Sequence, residues 1–428
     1  MEQNYYDRIE AFRQLKKEIR GSNDYLIIGV DVGKKRHHAF LGTTRGKTVL
    51  RRLRVENTAS GFEYLLDMVQ FYQTRDGSER SVFALEPTGV YHKPLAEFLL
   101  DQGYMVVYVT NEAIKKNRVL LDGRWDKHDT KDAANIADLV SQGKCQYYDL
   151  PDSNLRDIRS LLLLRKRLLK QQHGARVRIR NNLVAQYFPE LDSYWNQAET
   201  ENLAIVRWCL APGTITKLSF EAFARMVAPH YRGSNQYRRL RKIWEIAPHS
   251  IGCRAGSAVE LEATIMVEGL RTIQKQIHEV EETIKALCRS FPEYELLLTI
   301  PGFGPYIAAV VLAAIGNPAR FTKASELLRL AGFDLSAHRS GTKSATAVPV
   351  ISKKGKAELR YALYQAAVVA TISNKLFRAY YRRALEGRER EKGIRTKMRV
   401  KLAAKLLIIA WTLMKKKEPF DPHHLRIE

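Results

Sequence analysis

Hydrophobic and polar positions repeat at two different periods along this chain. In the first third, short runs of β-branched and aliphatic residues are separated by polar turns, which predicts β-strands. Stretches between several of these runs have apolar residues three and four positions apart, which predicts amphipathic helices. The predicted strands are 25–32, 36–42, 48–55, 81–86 and 104–109, and the predicted helices are 59–74, 91–102 and 129–142.

The order of these elements predicts a fold class. Three successive strands followed by strands that alternate with helices is the order of an RNase H-like α/β layer. We therefore predict an RNase H-like (RuvC-like) domain at 24–150, preceded by a short charged helix in an N-terminal extension at 1–23.

Helical periodicity dominates after residue 151. A long basic helix is predicted at 155–188, and a heptad pattern of apolar residues follows at 259–287, so we expect a pair of packed coiled-coil helices at 151–292. Residues 189–258 between them predict a small helical insertion. We predict an all-α C-terminal domain at 293–428, with later helices near 356–385 and 395–417.

A helix-hairpin-helix-like element is predicted near the start of the C-terminal domain, where Gly302 and Gly304 separate two helical stretches. Glycines in such a turn let backbone N–H groups approach a phosphate at a helix N-terminus. The same pattern also occurs in a plain tight connector. The positive charge of the chain favours contact with DNA.

Composition restricts the class of partner. The 428 residues carry a formal net charge of +24 and a pI of about 9.8, which indicates a polyanion partner, most simply nucleic acid. Four cysteines lie far apart without a C-x-x-C pair, which argues against a disulfide framework or zinc finger and favours a reducing, cytoplasmic compartment. The longest apolar run, 402–414, is too short to span a bilayer, so we expect no membrane partner.

Acidic residues follow two of the predicted strands and recur at regular spacing before and within a predicted helix. Asp31 and Glu86 each follow a predicted buried strand, and Asp126, Asp129 and Asp132 recur every third residue. Residues at i and i+3 share a helix face. Carboxylates clustered in one domain are typical of two-metal phosphodiester chemistry, in which Mg²⁺ prefers oxygen ligands. Spacing alone leaves the helical pair open between Asp126/Asp129 and Asp129/Asp132.

Three blocks containing these acids resemble a known family. The blocks at 29–34, 85–89 and 127–133 look like the DEDD blocks of insertion-sequence transposases of the IS-one-ten type, relatives of the Piv site-specific invertases. Further blocks in the same order as in that family lie at 300–304, 315–317, 320–321, 330–332, 339–341, 352–355 and 359–360. His128 stands where the family usually has Thr or Asn.

The resemblance implies an active site and its chemistry. It selects Asp129 and Asp132, so that a RuvC-like domain would bind Mg²⁺, or alternatively Mn²⁺, through four acids. It also implies a serine nucleophile, and the matching residue is Ser340, although Ser336, Ser344 and Ser352 are close by. The four predicted metal ligands are Asp31, Glu86, Asp129 and Asp132.

The resemblance also implies partners. Similar proteins are recombinases guided by a structured bridge RNA, so we expect target DNA, donor DNA and a guide RNA as partners. Subunits would form a dimer or tetramer with shared active sites, in a bacterial or archaeal cytoplasm near the nucleoid. The residues expected to bind nucleic acid are Gly302, Gly304, Lys353, Lys354 and Arg360.

Two other functions fit parts of the pattern. A RuvC-type structure-selective nuclease would need the four acids but not Ser340. A non-catalytic nucleic-acid-binding protein would need neither. We favour the first interpretation, a DNA transposase or recombinase of a mobile element that cuts and rejoins DNA strands.

Overall fold

The protein is described here by a computed structural model covering residues 2–87, 89–122, 129–230, 233–336 and 350–424. The chain divides into two compact units, Met1–Asp152 and Ser153–Glu428. The first is a mixed α/β unit built on one sheet, and the second is mostly helical. This arrangement confirms the predicted succession of an α/β domain and a helical region.

The sheet of the first unit has six strands in the order β3-β2-β1-β4-β5-β6. Strands β1, β2 and β3 form an antiparallel meander, β4 and β5 run parallel to β1, and β6 is antiparallel to β5. The strand bounds are β1 Tyr25–Asp31, β2 Arg36–Thr43, β3 Thr48–Glu56, β4 Arg80–Leu85, β5 Met105–Tyr108 and β6 Gln146–Tyr147.

Helices cover both faces of this sheet. The bounds are α1 Glu2–Glu18, α2 Ala59–Asp76, α3 His92–Asp101, α4 Asn111–Asp122 and α5 Asp129–Ser141. One face packs against α2 and α3, whose buried residues include Leu65 and Leu99. The other face packs against α1, α4 and α5, whose buried residues include Leu15, Ile114 and Ile136.

Strand β1 contributes to both cores because successive side chains point to opposite faces. Leu26, Ile28 and Val30 belong to the core under α2 and α3. Tyr25 and Ile27 belong to the core under α1, α4 and α5. The sequence of β1 is therefore a continuous hydrophobic run, because helices cover both faces of the sheet.

The second unit is helical, and its helices are α6 Ser153–Arg178, α7 Ala185–Tyr187, α8 Glu199–Cys209, α9 Pro212–Ile215, α10 Phe220–Val227, α11 Ser234–Ile246, α12 Ser257–Cys288, α13 Pro292–Leu298, α14 Pro305–Ile315, α15 Ala324–Ala331, α16 Ala357–Ser373, α17 Lys375–Leu385 and α18 Ile394–Lys416. A π-helical turn, Ile179–Val184, continues α6. Two short strands, β7 Leu335–Ser336 and β8 Val350–Ile351, pair antiparallel on either side of residues 337–349.

Helix α12 joins two separate hydrophobic cores. Its first half packs Ala263, Val267 and Leu270 against the helices of the insertion. Its second half packs residues such as Ile277 and Ile284 against α6 and the C-terminal helices. The prediction that the heptad helix packs against the basic helix is confirmed within one chain. In its first half, Val267 is fully buried and the neighbouring Met266 is partly buried against the same core.

The main differences from the predicted elements have local causes. The predicted single helix at 356–385 is wrong, because Asn374 is extended and its Oδ1 accepts from the backbone N–H groups of Leu376 and Phe377, which starts a new helix. Helix α4 and strand β6 were not predicted. Within the described parts of the chain, no helix combines the length and apolar character that crossing a membrane requires.

Candidate active site

Asp31 ends strand β1 and Glu86 directly follows strand β4, at the same end of two central strands of the sheet. Strands β1 and β4 are parallel neighbours, and Val30 pairs with Leu85, the residues directly before the two acids. The core under α1, α4 and α5 contains Tyr25 and Ile27 of β1. It also contains Val82 and Ala84 of β4. Continuing this alternation directs both carboxylates to the face of the sheet that α5 covers.

Helix α5 comes unusually close to β1 at Gly29. A Cβ built on Gly29 would lie 2.1 Å from the carbonyl oxygen of Ala133 and 2.9 Å from the backbone nitrogen of Ala137. A larger residue at 29 would therefore push the helix away from the sheet. Asp132 directly precedes Ala133, so it belongs to the turn of α5 that lies against β1.

Asp132 is buried and paired with an arginine of α4. Its side chain is only 3% exposed, and Arg118 donates to Oδ1 from Nε at 3.0 Å and from Nη2 at 2.6 Å. A buried carboxylate needs such a counter-charge. Both bonds fall on the same oxygen of Asp132, Oδ1.

A seam of polar side chains continues from this pair along the interface of α4 and α5. Asn117 donates to Asn135 Oδ1 at 2.8 Å and to Asp138 Oδ2 at 2.7 Å. Asn135, which is fully buried, donates to the carbonyl oxygen of Ile114 at 2.8 Å. Fully paired polar groups in a core fix the relative position of the elements that carry them. The seam therefore fixes the register of α5 and with it the position of Asp132.

The turn after Asp31 is held by a buried histidine of β2. The backbone N–H of Gly33 donates to His37 Nδ1 at 3.3 Å. Burial lowers the pKa of His37 below its ordinary 6.5, while a hydrogen bond with Asn57 works against that shift. Nδ1 must be unprotonated to accept from Gly33, so the neutral imidazole is the form that holds the turn.

The acids fit a divalent metal by donor chemistry. Asp31, Glu86 and Asp132 offer only carboxylate oxygens, the ligands that Mg²⁺ and Mn²⁺ prefer. Among the described residues, no group of three or more acids, histidines or cysteines is close enough to hold an ion. Asp129 starts α5 one turn before Asp132, but its side chain lies outside the described residues, as does the whole of Asp126.

Ser340 lies outside the described residues. The paired strands β7 and β8 and the residues next to them, which we call the stem, lie on either side of 337–349 and are described. Ser352 donates from Oγ to Asp334 Oδ1 at 2.6 Å, and its backbone N–H donates to the Asp334 carbonyl at 2.8 Å. The Ser352 hydroxyl also accepts from the N–H of Lys354. Ser352 therefore has a structural role at the stem. Ser344 and the side chain of Ser336 are likewise outside the described residues.

The two glycines of the predicted helix-hairpin-helix-like turn differ in their surroundings. Gly302 has φ +91°, and a Cβ on it would lie 2.4 Å from the Ala366 carbonyl oxygen of α16. Close packing alone accounts for glycine there. Gly304 caps α14 and has nothing within 4 Å of an added Cβ, so a ligand could approach it.

The basic residues predicted to bind nucleic acid also divide into two groups. Arg360 Nη1 donates to the carbonyl oxygen of Ala331 at 2.7 Å, which ties α16 to the end of α15. Lys353 is exposed and has a left-handed backbone with φ 56°, next to the exposed Lys354. The two lysines are presented outward, whereas Arg360 supports the turn that presents them.

Several arginines of the long basic helix are engaged inside the unit. Arg159 donates to the Ala313 carbonyl at 2.7 Å, and Arg165 pairs with Glu281 at 2.6 Å and stacks 4.0 Å above the Tyr306 ring. Arg176 and Arg180 pair with acids of the insertion. The exposed cations of α6 include Lys166, Arg167, Lys170 and Arg178.

Sequence reasoning missed the residues that support the acids. Arg118, Asn117 and Asn135 lie in a stretch where polar residues normally indicate a solvated helix face. His37 alternates with apolar residues of β2, which was the one available signal for a buried position. Their roles depend on the contact between α4 and α5, which no local pattern encodes.

Comparison with known proteins identifies two family matches. Residues 28–189 match the IS110 DEDD family, described as a transposase. Residues 294–382 match the transposase IS116/IS110/IS902 family. The first match contains all four predicted metal ligands, and the second contains Ser340. Together the two matches cover more than half of the chain.

Individual relatives agree with the family matches. An uncharacterized 43.6 kDa protein of insertion element IS110 from Streptomyces coelicolor is 25% identical over 366 residues, covering 84% of this chain and 87% of the relative. A 44.8 kDa protein of insertion element IS116 from Streptomyces clavuligerus is 21% identical over 94% of this chain and 97% of the relative. The pilin gene-inverting protein of Moraxella bovis is 30% identical over 161 residues, covering 36% of this chain and 48% of that protein. The chain belongs to the IS110-type transposases, a family of DNA transposases and recombinases.

Proposed function

We propose that this protein is a metal-dependent DNA recombinase that cuts and rejoins the strands of a mobile element. The observation that supports the proposal is the parallel register of Val30 with Leu85, because Asp31 and Glu86 directly follow these paired residues at the same end of two neighbouring strands. The strand order, an antiparallel meander extended by parallel strands, supports an RNase H-like fold.

The proposed metal ligands are Asp31, Glu86, Asp129 and Asp132, with Mg²⁺ as the ion and Mn²⁺ as a substitute. When bound, a pair of such ions stabilises the attacking and leaving oxygens of a phosphoryl transfer. The chain's own residues keep this site in place: Arg118 holds Oδ1 of Asp132, and His37 holds the turn after Asp31.

The proposed nucleophile is Ser340. Its Oγ forms a bond to the scissile phosphorus, the bond from phosphorus to the departing strand oxygen breaks, and the hydroxyl proton leaves to a base. The departing oxygen takes up a proton. In the rejoining step a strand hydroxyl displaces the serine, so the number of phosphodiester bonds is conserved without an energy source. The names of the pilin gene-inverting relatives support DNA rejoining over simple cleavage.

We further propose a structured guide RNA and a dimer or tetramer with shared active sites. The net charge of +24 supports binding of nucleic acid over a large part of the protein surface. Sequencing the RNA that co-purifies with the protein tests the guide, since a single structured species is expected. A heterogeneous mixture of cellular RNA would contradict it.

Strand exchange by the purified full chain in Mg²⁺ tests the catalytic proposal. Asp31→Asn should lower the rate by roughly 10²–10³-fold, the scale for removing one electrostatic stabiliser, whereas the exposed Asp101→Asn should not change it. Unchanged exchange by Asp31→Asn would refute the metal site. Ser340→Ala separates the recombinase from a nuclease, because a nuclease would keep cleaving DNA without that serine.

A further inference from the structure

A groove of about 720 Å³ lies on the same face of the sheet as the proposed metal ligands. Its walls are strands β2 and β3 on one side and α5 on the other. Gly42, which has no side chain, and the small alanines Ala134 and Ala137 of α5 line the groove and keep it open. None of the described residues that line the groove is a predicted residue of the active site.

The charge of the groove is strongly positive. Lys47, Arg51, Arg52 and Lys131 line it, and Asp138 is the one acid among the described lining residues. Lys47 also pairs with Asp76 at 2.6 Å, and Asp138 accepts from Asn117. Pockets for small ligands are mostly apolar and aromatic. Among the lining residues that the structure describes, Phe40 is the single aromatic one, so the chemistry of the groove favours an extended polyanion.

The groove leads towards the proposed metal ligands. His38 pairs with Asp31 across β1 and β2, and Phe40, which lines the groove, lies two residues further along β2 on the same face. At ~3.3 Å per residue this places the near end of the groove about 7 Å along the strand from the row of Asp31. On the opposite wall, Lys131 directly precedes Asp132.

Edge-strand protection is the simpler explanation for part of this charge. Strand β3 is at the edge of the sheet, and natural proteins often place charged residues on edge strands to prevent aggregation. That explanation accounts for Arg51 and Arg52. It does not account for Lys131, which belongs to a helix and faces the same groove.

We propose that this groove holds the phosphodiester backbone of a single DNA strand that continues to the carboxylates. The direction of the strand towards Asp31 rests on the proposed function, whereas binding to the groove does not. Each phosphate neutralised by a protein cation adds about 0.7 to the salt dependence of single-strand binding.

Binding of a labelled single-stranded DNA to the full chain in EDTA tests the charge of the groove. Arg51→Gln/Arg52→Gln should lower the slope of log K against log salt by about 1.4 and weaken binding by roughly 25-fold at 0.1 M salt. The control Arg75→Gln/Lys93→Gln removes the same charge from the opposite face of the sheet, where α2 and α3 lie. Equal losses from the two double variants would overturn the proposal.

Cysteine protection locates the strand. In a Cys253→Ser background, which removes an exposed thiol and leaves three buried ones, Thr48→Cys in the groove should react with maleimide more slowly when DNA is bound. Thr74→Cys on the exposed face of α2 should react at the same rate with and without DNA. Absent protection at position 48, or protection by an RNA of the same sequence and not by DNA, would overturn the proposal.

The metal site and the groove can be refuted independently of each other. If Asp31→Asn left strand exchange intact while DNA still protected position 48, the metal site would be wrong and the groove would stand. If Asp31→Asn abolished exchange while position 48 stayed reactive, the groove would be wrong and the metal site would stand.

Discussion

Arg118 and Asp132 form a buried ion pair in which two guanidinium nitrogens donate to one carboxylate oxygen, at 2.6 and 3.0 Å. The pair joins α4 to α5 at the first full turn of α5. It neutralises a carboxylate that would otherwise be costly in the core, and it sets the rotation of the side chain that the proposed metal site needs.

Replacing Arg118 alone should lower the stability of the first unit more than removing both charges does. Arg118→Ala leaves a buried charge on Asp132 and should lower the free energy of unfolding of the first unit by about 3 kcal/mol. The double variant Arg118→Met/Asp132→Asn should lose clearly less, because no charge remains buried. Hydrogen exchange of the β1 and β4 amides measures the difference. A loss in the double variant as large as that in Arg118→Ala would contradict this prediction.

Gly302 and Gly304, just before α14, should respond differently to substitution by alanine. Gly302→Ala forces a side chain against the Ala366 carbonyl at a backbone with φ +91°, so it should destabilise the second unit by more than ~1 kcal/mol. Gly304→Ala meets open space and should leave the melting temperature nearly unchanged.

DNA binding then distinguishes the roles of the two positions. If Gly304 lets a phosphate approach the N-terminus of α14, Gly304→Ala should weaken DNA binding while stability is kept. Unchanged binding by this variant would remove Gly304 from the predicted contact surface.

Substitution of Ser352 should affect stability, whereas substitution of Ser340 should affect the covalent step. Ser352→Ala removes a hydrogen bond to the Asp334 carboxylate, which should cost roughly 1.5–3 kcal/mol of stability and leave the covalent step in place. Ser340→Ala should remove the covalent protein–DNA adduct, measured by denaturing gel electrophoresis after trapping, without a loss of stability. The assignment fails if the adduct survives Ser340→Ala and disappears with Ser352→Ala.

The pH dependence of stability should contain a contribution from His37. Burial lowers its folded-state pKa below the ordinary 6.5, so the unfolded chain binds more protons as pH falls below 6.5. The stabilising contribution is therefore complete above pH 6.5 and is lost as pH falls towards the folded-state pKa.

Thermal unfolding at pH 7.5, 6.5 and 5.5 measures this contribution. The melting temperature of the native chain should fall with pH more steeply than that of His37→Gln, which keeps an acceptor for the Gly33 N–H. Identical slopes for the two chains would exclude a role of His37, provided that circular dichroism at pH 7.5 shows the variant folded.

Sequence patterns predicted the features that depend on residues close together in the chain. The strand from Tyr25 to Asp31 and its neighbours follow from alternation and apolar runs, and the acid at each strand end follows from where the run stops. The IS-one-ten resemblance supplied the family, which the comparisons confirm. The roles assigned to individual residues, including Ser340, stay predictions.

Contacts between distant segments could not be predicted in this way. Gly302 was assigned to phosphate contact because local sequence cannot show that α16 packs against it. Arg360 was assigned to nucleic acid for the same reason, although it binds the Ala331 carbonyl. The pairing of Arg118 with Asp132 depends on how α4 lies against α5, and no spacing rule relates residues across that interface.

The central claim is that Asp31, Glu86 and the acids of α5 hold divalent metal ions. Anomalous X-ray scattering from crystals of the full chain grown with Mn²⁺ and DNA tests it most directly. The account predicts anomalous peaks within coordination distance of the carboxylates of Asp31, Glu86 and Asp132, and their loss in Asp31→Asn. Peaks located only elsewhere, or none at saturating Mn²⁺, would contradict it.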